Sequence, residues 1–239
     1  MRRLIVGGLG LLVVLILIKE IIMMSAYEAK EVAKEALVSS NEIEVEQKGL
    51  ITFSPKQREG KKGIIIYPGG QVQHEAYAPL ARELAEKGYL VSIVDMPLNF
   101  AILDVDKGLE VMATYPEIES WSIIGHSLGG VAAAEFAATQ PKIEEVIFLA
   151  AYPGSEVLKE TTKEVISIYG DLDGVINRKN LETSKDKLPE SARYIEIKGA
   201  NHAQFGDYGF QKGDQSAQIT AEQQIDQTVE SIITQLKND

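Results

Sequence analysis

From Asn41 onward, short β-branched runs alternate with longer runs whose apolar residues recur every three or four positions. Glu42 to Gln47 and Leu50 to Ser54 predict an antiparallel pair turned near Gly49. A strand over 63–67, a helix over 75–87, a strand over 90–95 and a helix over 102–114 follow. Next come a strand over 121–125, a helix over 128–139 and strands over 145–151 and 164–169. A helix over 180–187, a strand over 193–197 and a helix over 221–236 complete the series. The runs IIIY, SIV, SII and VIFLA lack the alternation of a half-wet strand, so helices should cover both sheet faces. The pattern predicts an α/β protein with a mainly parallel, doubly wound sheet. Ligands bind such sheets at the carboxyl ends of strands, so chemistry is sought in the loops that follow them.

Residues 1–40 have another character. Arg2 and Arg3 precede the apolar run Leu4 to Ile18, and Lys19 and Glu20 interrupt it before Ile21 to Met24. As a helix, Leu4 to Met24 rises about 30 Å, the thickness of a hydrocarbon core. A membrane anchor over 1–24 is favoured over a cleaved signal peptide, because Met24-Ser25-Ala26-Tyr27-Glu28-Ala29 makes a poor cleavage site. A buried soluble helix is the third reading. With Arg2 and Arg3 retained inside, the rest of the chain faces outward at the cell membrane. Residues 25–40, rich in Ala, Glu and Lys over 27–38, read as a helical stalk or a solvated surface helix, and residues 41–239 as the single domain.

Charge and composition remove several classes of function. With 24 basic against 35 acidic residues the net charge is −11, which repels a phosphate backbone and argues against nucleic acid. The chain has no cysteine, which excludes disulfides, thiolate nucleophiles, cysteine zinc sites and a lipid anchor on an N-terminal cysteine.

One junction stands out. Gly125-His126-Ser127-Leu128-Gly129 fits G-x-S-x-G and falls between a predicted strand and a predicted helix, as a nucleophile elbow requires. Side chains at Gly125 or Gly129 would collide as strand and helix pass closely. A plain glycine-rich turn with an exposed serine is the alternative. A phosphate-cradling loop fits less well, since neither G-x-G-x-x-G nor G-x-x-x-x-G-K-[ST] is present here.

A serine nucleophile needs a base, and the chain has three histidines. His126 adjoins Ser127, where neighbouring side chains diverge, and reads as a packing residue. His74 lies beside the loop after the 63–67 strand and reads as a capping or surface residue. His202, straight after the last strand, lies at the carboxyl edge and gives the chain order nucleophile, acid, histidine. Between serine and histidine, "SIYGDLDGVI" offers Asp171 and Asp173. Asp171 begins the turn, where aspartate bonds its own backbone, so Asp173 is favoured. A calcium loop is the rival use of "DLDG", but its glycine comes too early and no glutamate ligand follows, so no metal is expected. The oxyanion of acyl transfer needs preorganised donors: the Leu128 N–H is one, and the loop Pro68-Gly69-Gly70-Gln71 offers Gly70, then Gln71, for the second.

Residues 42–239 resemble the α/β-hydrolase superfamily. More narrowly, "YPGGQVQHEAYAPLARELAEKGY", "VDMPLNFAILD", "GHSLGGVAAAEFA", "SIYGDLDGV" and "GANHAQFGDYG" look like a compact, lidless bacterial α/β-hydrolase family without an assigned substrate. The resemblance implies Ser127, Asp173 and His202 as a triad and sets Met96 to Asn99 near the active-site face. The chain departs from the broader pattern in carrying Pro68 where many members have histidine before the oxyanion glycine. Many relatives insert a helical lid after the strand here predicted over 145–151, yet only Tyr152 to Lys163 precede the next strand. The site is expected to be open, walled by Met96, Asn99, Phe100, Tyr152 and Phe205, unless these apolar residues are core.

The sequence therefore predicts a membrane-anchored serine hydrolase acting on small carboxylic esters or acyl groups through an acyl-enzyme, with no cofactor. Acyl transfer on the same triad and a non-catalytic binding module retaining the fold are the alternatives.

Overall fold

The computed structural model describes residues 25–58 and 60–236. The anchor or signal segment expected over 1–24 lies outside the described residues, among which no helix is long and apolar enough to cross a membrane. Eight strands form one sheet: β1 (Ile43–Gln47), β2 (Leu50–Pro55), β3 (Lys62–Tyr67), β4 (Leu90–Val94), β5 (Ser120–His126), β6 (Ile143–Leu149), β7 (Glu164–Gly170) and β8 (Arg193–Ile197). Their spatial order is β1-β2-β4-β3-β5-β6-β7-β8. β2 pairs antiparallel with β1 and β4, and every other pairing is parallel.

The unalternating apolar strands are explained by two cores, one on each face. On β3, Ile64 and Ile66 enter one core while Ile65 and Tyr67 enter the other, following the two-residue period of a strand. Helices α1 (Glu31–Ala36), α2 (Ala78–Glu86) and α6 (Ala221–Leu236) cover the first face, contributing Ala33, Leu84, Ile225, Val229 and Ile232. Helices α3 (Gly108–Thr114) and α4 (Leu128–Thr139) cover the second with Val111, Ala133, Phe136 and Ala137. A short α5 (Arg178–Thr183) lies between β7 and β8.

Four expectations are corrected. The 25–40 stretch is neither a stalk nor a solvated helix: only Glu31–Ala36 is helical, and Ala29, Ala33 and Ala36 are buried in the first core. Tyr27 pairs with Val72, and Arg82 donates to the Ala36 carbonyl at 2.7 Å, so the segment is strapped onto the domain. The helix expected over 102–114 resolves into 3-10 turns at Ala101–Leu103 and Val105–Lys107 before α3 begins at Gly108. There the Tyr67 hydroxyl donates to the Val105 carbonyl at 2.6 Å and accepts the Gly108 N–H at 2.9 Å, capturing groups that a continuous helix would pair internally. Likewise the run expected over 75–87 opens as a 3-10 turn, His74–Tyr77, and α2 follows with Pro79 in its first turn, where a missing N–H costs nothing. β6 starts two residues before expectation and ends at Leu149, since Ala150 leaves the sheet at φ 47°.

Candidate active site

Ser127 sits between the last residue of β5 and the first of α4, with φ 50° and ψ −123°. A non-glycine residue there is strained by about 1–3 kcal/mol, an expense sustained only where the surroundings fix it. They do so through close packing. A Cβ on Gly129 would stand 2.3 Å from the Pro68 carbonyl oxygen, and one on Gly125 2.5 Å from Gly130 Cα. Both glycines are thus required for α4 to pass against β5 and the loop after β3, and Ser127 N–H is held by the Leu149 carbonyl at 3.0 Å.

His202 and Asp173 arrive from the carboxyl ends of β8 and β7. Both are buried, and His202 Nδ1–H donates to Asp173 Oδ2 at 2.8 Å. The other carboxylate oxygen, Oδ1, accepts the N–H groups of Val175 and Ile176 at 2.8 Å each, which fixes its rotamer. His202 Nε2 is buried with no hydrogen-bond partner among the described residues. With Nδ1 protonated, Nε2 is left as an acceptor, and His202 and Ser127 line the same cavity of about 250 Å³. Leu128, Val131, Ala151, Tyr152, Val175 and Ile176 provide most of its other walls. Larger hollows exist, such as one of about 520 Å³ between α1, α2 and α6, but its lining holds neither a serine nor a histidine.

Asp171, the other aspartate of that loop, accepts the Gly199 N–H at 2.6 Å and so ties the loop after β7 to the loop after β8. His74 is drawn to carboxylates, with Nδ1 3.3 Å from Glu75 and 3.6 Å from Asp95. In the loop after β3, Gly70 approaches the elbow so closely that a Cβ there would lie 3.1 Å from Leu128 Cδ2. Gln71, at φ 58°, donates its N–H to the Asn99 carbonyl at 2.8 Å. Asn99 therefore props the Gly70 loop, and Phe100 lies against Gly70. Tyr152 walls the cavity and its hydroxyl accepts from Asn180 Nδ2 at 3.3 Å. Met96 and Phe205 do not wall it: burial draws them into the second and first cores, Phe205 with its ring 5.9 Å from that of His126.

Several supporting groups carried no sequence signal. Asp214 accepts the N–H groups of Gly174, His202 and Ala203 at 3.0, 3.3 and 2.9 Å, tying the loop of Asp173 to that of His202. On α6, Gln224 holds Asn201 through both its amide groups, at 3.1 and 2.9 Å. His126, read as packing, is wholly buried beneath the site, where burial and the neighbouring His202 push its pKa well below the ordinary value. It is therefore neutral, with Nε2–H donating to the His202 carbonyl at 3.2 Å and Nδ1 accepting from Tyr77 at 2.7 Å.

A nucleophile elbow, a buried histidine–aspartate pair and an eight-stranded sheet of this order define an α/β hydrolase. The Alpha/beta hydrolase family model matches residues 63–226, and the chain belongs to that family. No curated protein matches it. Its fold is similar to a solved sugar hydrolase from Lactococcus lactis (TM-score 0.61, 16% identity, covering 82% of this chain and 99% of that one). It is also similar to an esterase domain from Rhodothermus marinus (TM-score 0.53, 13% identity, 64% and 83% covered). A bacterial membrane phospholipase A shares the fold over 100% of both chains, at a TM-score of 0.61 and 13% identity.

Proposed function

We propose that this hydrolase is a serine carboxylic ester hydrolase, tethered to the membrane by residues 4–24 with its domain outside the cell. The observation that carries the reading is the free acceptor Nε2 of His202, oriented by Asp173 and lining one small cavity with a strained Ser127. Ser127 Oγ attacks the ester carbonyl carbon while its proton passes to His202 Nε2, and the carbonyl oxygen becomes an oxyanion. Leu128 and Gly70 donate N–H groups to it; Gln71 is not used, because its N–H already serves Asn99. Collapse expels the alcohol, which takes the proton from Nε2. Water then enters by the same steps in reverse and releases the acid. Asp173 stays ionised and stabilises the imidazolium.

The esterase and phospholipase named among the solved structures agree with an ester substrate, and a cavity of about 250 Å³ accommodates a short acyl group. Hydrolysis of short-chain nitrophenyl esters tests the reading. Ser127→Ala and His202→Ala should each lower kcat by more than a thousandfold, a loss in the range known for triad residues. Turnover that survives both changes refutes it.

A further inference from the structure

The chain enters the domain at the loop that follows β3. Ser25 Oγ accepts from Gln71 Nε2 at 2.9 Å, and Tyr27 N–H donates to the Gln71 carbonyl at 2.7 Å. Gln73 N–H returns a bond to the Tyr27 carbonyl at 3.0 Å. The residue just after the apolar stretch Leu4 to Met24 is therefore fastened to the loop that carries Gly70, at the carboxyl edge of the sheet. A tether ending there holds this edge, and no other, near whatever the apolar stretch enters.

The same edge exposes apolar side chains. Gln71 bonds Asn99, and just beyond Asn99 lie Ile102 and Leu103, 53% and 56% exposed. Phe210, 66% exposed, lies between Tyr208, whose ring is 5.7 Å from that of Tyr27, and Lys212, whose N–H donates to the Tyr27 hydroxyl at 3.3 Å. Phe210 thus lies in the stretch that holds Tyr27, and Ile102 and Leu103 follow closely on the residue that holds Gln71. Isolated exposed apolar residues need no explanation, but ones gathered around an apolar tether at an open cavity do. The cavity holds an ester group and a short stretch of chain, so the rest of a long molecule must lie outside it.

We infer that the rim formed by Ile102, Leu103 and Phe210 seats on a phospholipid bilayer, so that the cleft opens onto the membrane and takes amphiphilic acyl esters from it. The substrate part of this inference rests on the serine hydrolase reading; the seating does not. With a net charge of −11, attraction to anionic headgroups cannot supply the contact, which must come from apolar insertion into the interface. The anchor holds the chain at the bilayer, and the rim sets which edge of the domain faces it.

The full chain in phosphatidylcholine vesicles tests the seating. Trp121 is the sole tryptophan and is wholly buried, so a second one reports its own surroundings. Leu103→Trp should lose most of its added emission when the lipid acyl chains are brominated. Glu119→Trp, an exposed position just before β5 at the opposite edge, should lose none. Equal quenching at both positions, or a chain that stays in the aqueous fraction, overturns the seating. The paired change Ile102→Ser with Leu103→Ser should slow hydrolysis of a bilayer-embedded long-chain ester by at least about tenfold, since two apolar side chains no longer insert. It should leave a water-soluble short-chain ester unaffected. Equal loss on both esters overturns delivery from the membrane. A wild type inert toward the soluble ester sinks the hydrolase reading instead, and the quenching still decides the seating.

Discussion

Tyr77 and His126 are locked together beneath the site: the Tyr77 hydroxyl donates to His126 Nδ1 at 2.7 Å and accepts the Gly69 N–H at 2.8 Å. Because His126 Nε2–H reaches the His202 carbonyl at 3.2 Å, this one buried chain of bonds runs from the Gly70 loop to the histidine loop. It registers the two halves of the proposed machinery without touching substrate.

Tyr77→Phe removes the middle of that chain and leaves the Gly69 N–H and His126 Nδ1 buried without partners. Each orphaned group costs about 1–3 kcal/mol, so unfolding stability should fall by roughly 2–6 kcal/mol. In the fraction that folds, kcat for a soluble ester should fall and KM should change little, because the loop is displaced while the cavity wall is not. Denaturant unfolding and steady-state kinetics on the one variant check both parts.

Asp214 is the second brace, joining the Asp173 loop to the His202 loop. Asp214→Ala strands several buried N–H donors and should cost at least about 3 kcal/mol. Asp214→Asn, which keeps an acceptor oxygen, should recover part of it. Equal thermal midpoints for wild type and Asp214→Ala would show that the brace contributes nothing.

Away from the site, Glu83 on α2 is half-buried, and burial, with Asp226 beside it on α6, raises its pKa from 4.5 to about 7. Above about pH 4.5 the unfolded chain releases this proton while the folded chain keeps it until about pH 7, so stability is lost as pH rises through that window. Glu83→Gln removes the penalty. Partial exposure screens the effect, and the variant should exceed wild type by about 1 kcal/mol at pH 8, with the gap shrinking towards pH 5. Chemical denaturation at the two pH values measures it.

The sheet was legible in the sequence because its central strands β3, β4, β5 and β6 are apolar on both faces, a pattern that short surface strands do not share. β8 and α6 fall where periodicity predicted them. What periodicity could not resolve was local: residues 102–107 were expected to open the helix over 102–114, but Tyr67, distant in sequence, takes the hydrogen bonds of Val105 and Gly108. The strapped 25–36 segment was misread for a related reason. Its alanines look like a solvated helix until Arg82, Asp207 and Gln73 supply partners from elsewhere in the chain. Ser127, Asp173 and His202 could be named as candidates because loop position and chain order restrict the choices, and the structure pairs His202 with Asp173 and sets His202 and Ser127 in one cavity. Asp214, Gln224 and Tyr77 were not, since a brace is defined by what it touches.

The central claim is that Ser127 is a nucleophile activated by His202. A fluorophosphonate ester, followed by mass spectrometry of the digested protein, tests it most directly. The account predicts one stoichiometric adduct on the peptide carrying Ser127, lost in Ser127→Ala and greatly slowed in His202→Ala. A folded wild type that takes up no label, or takes it up on another residue, would contradict it.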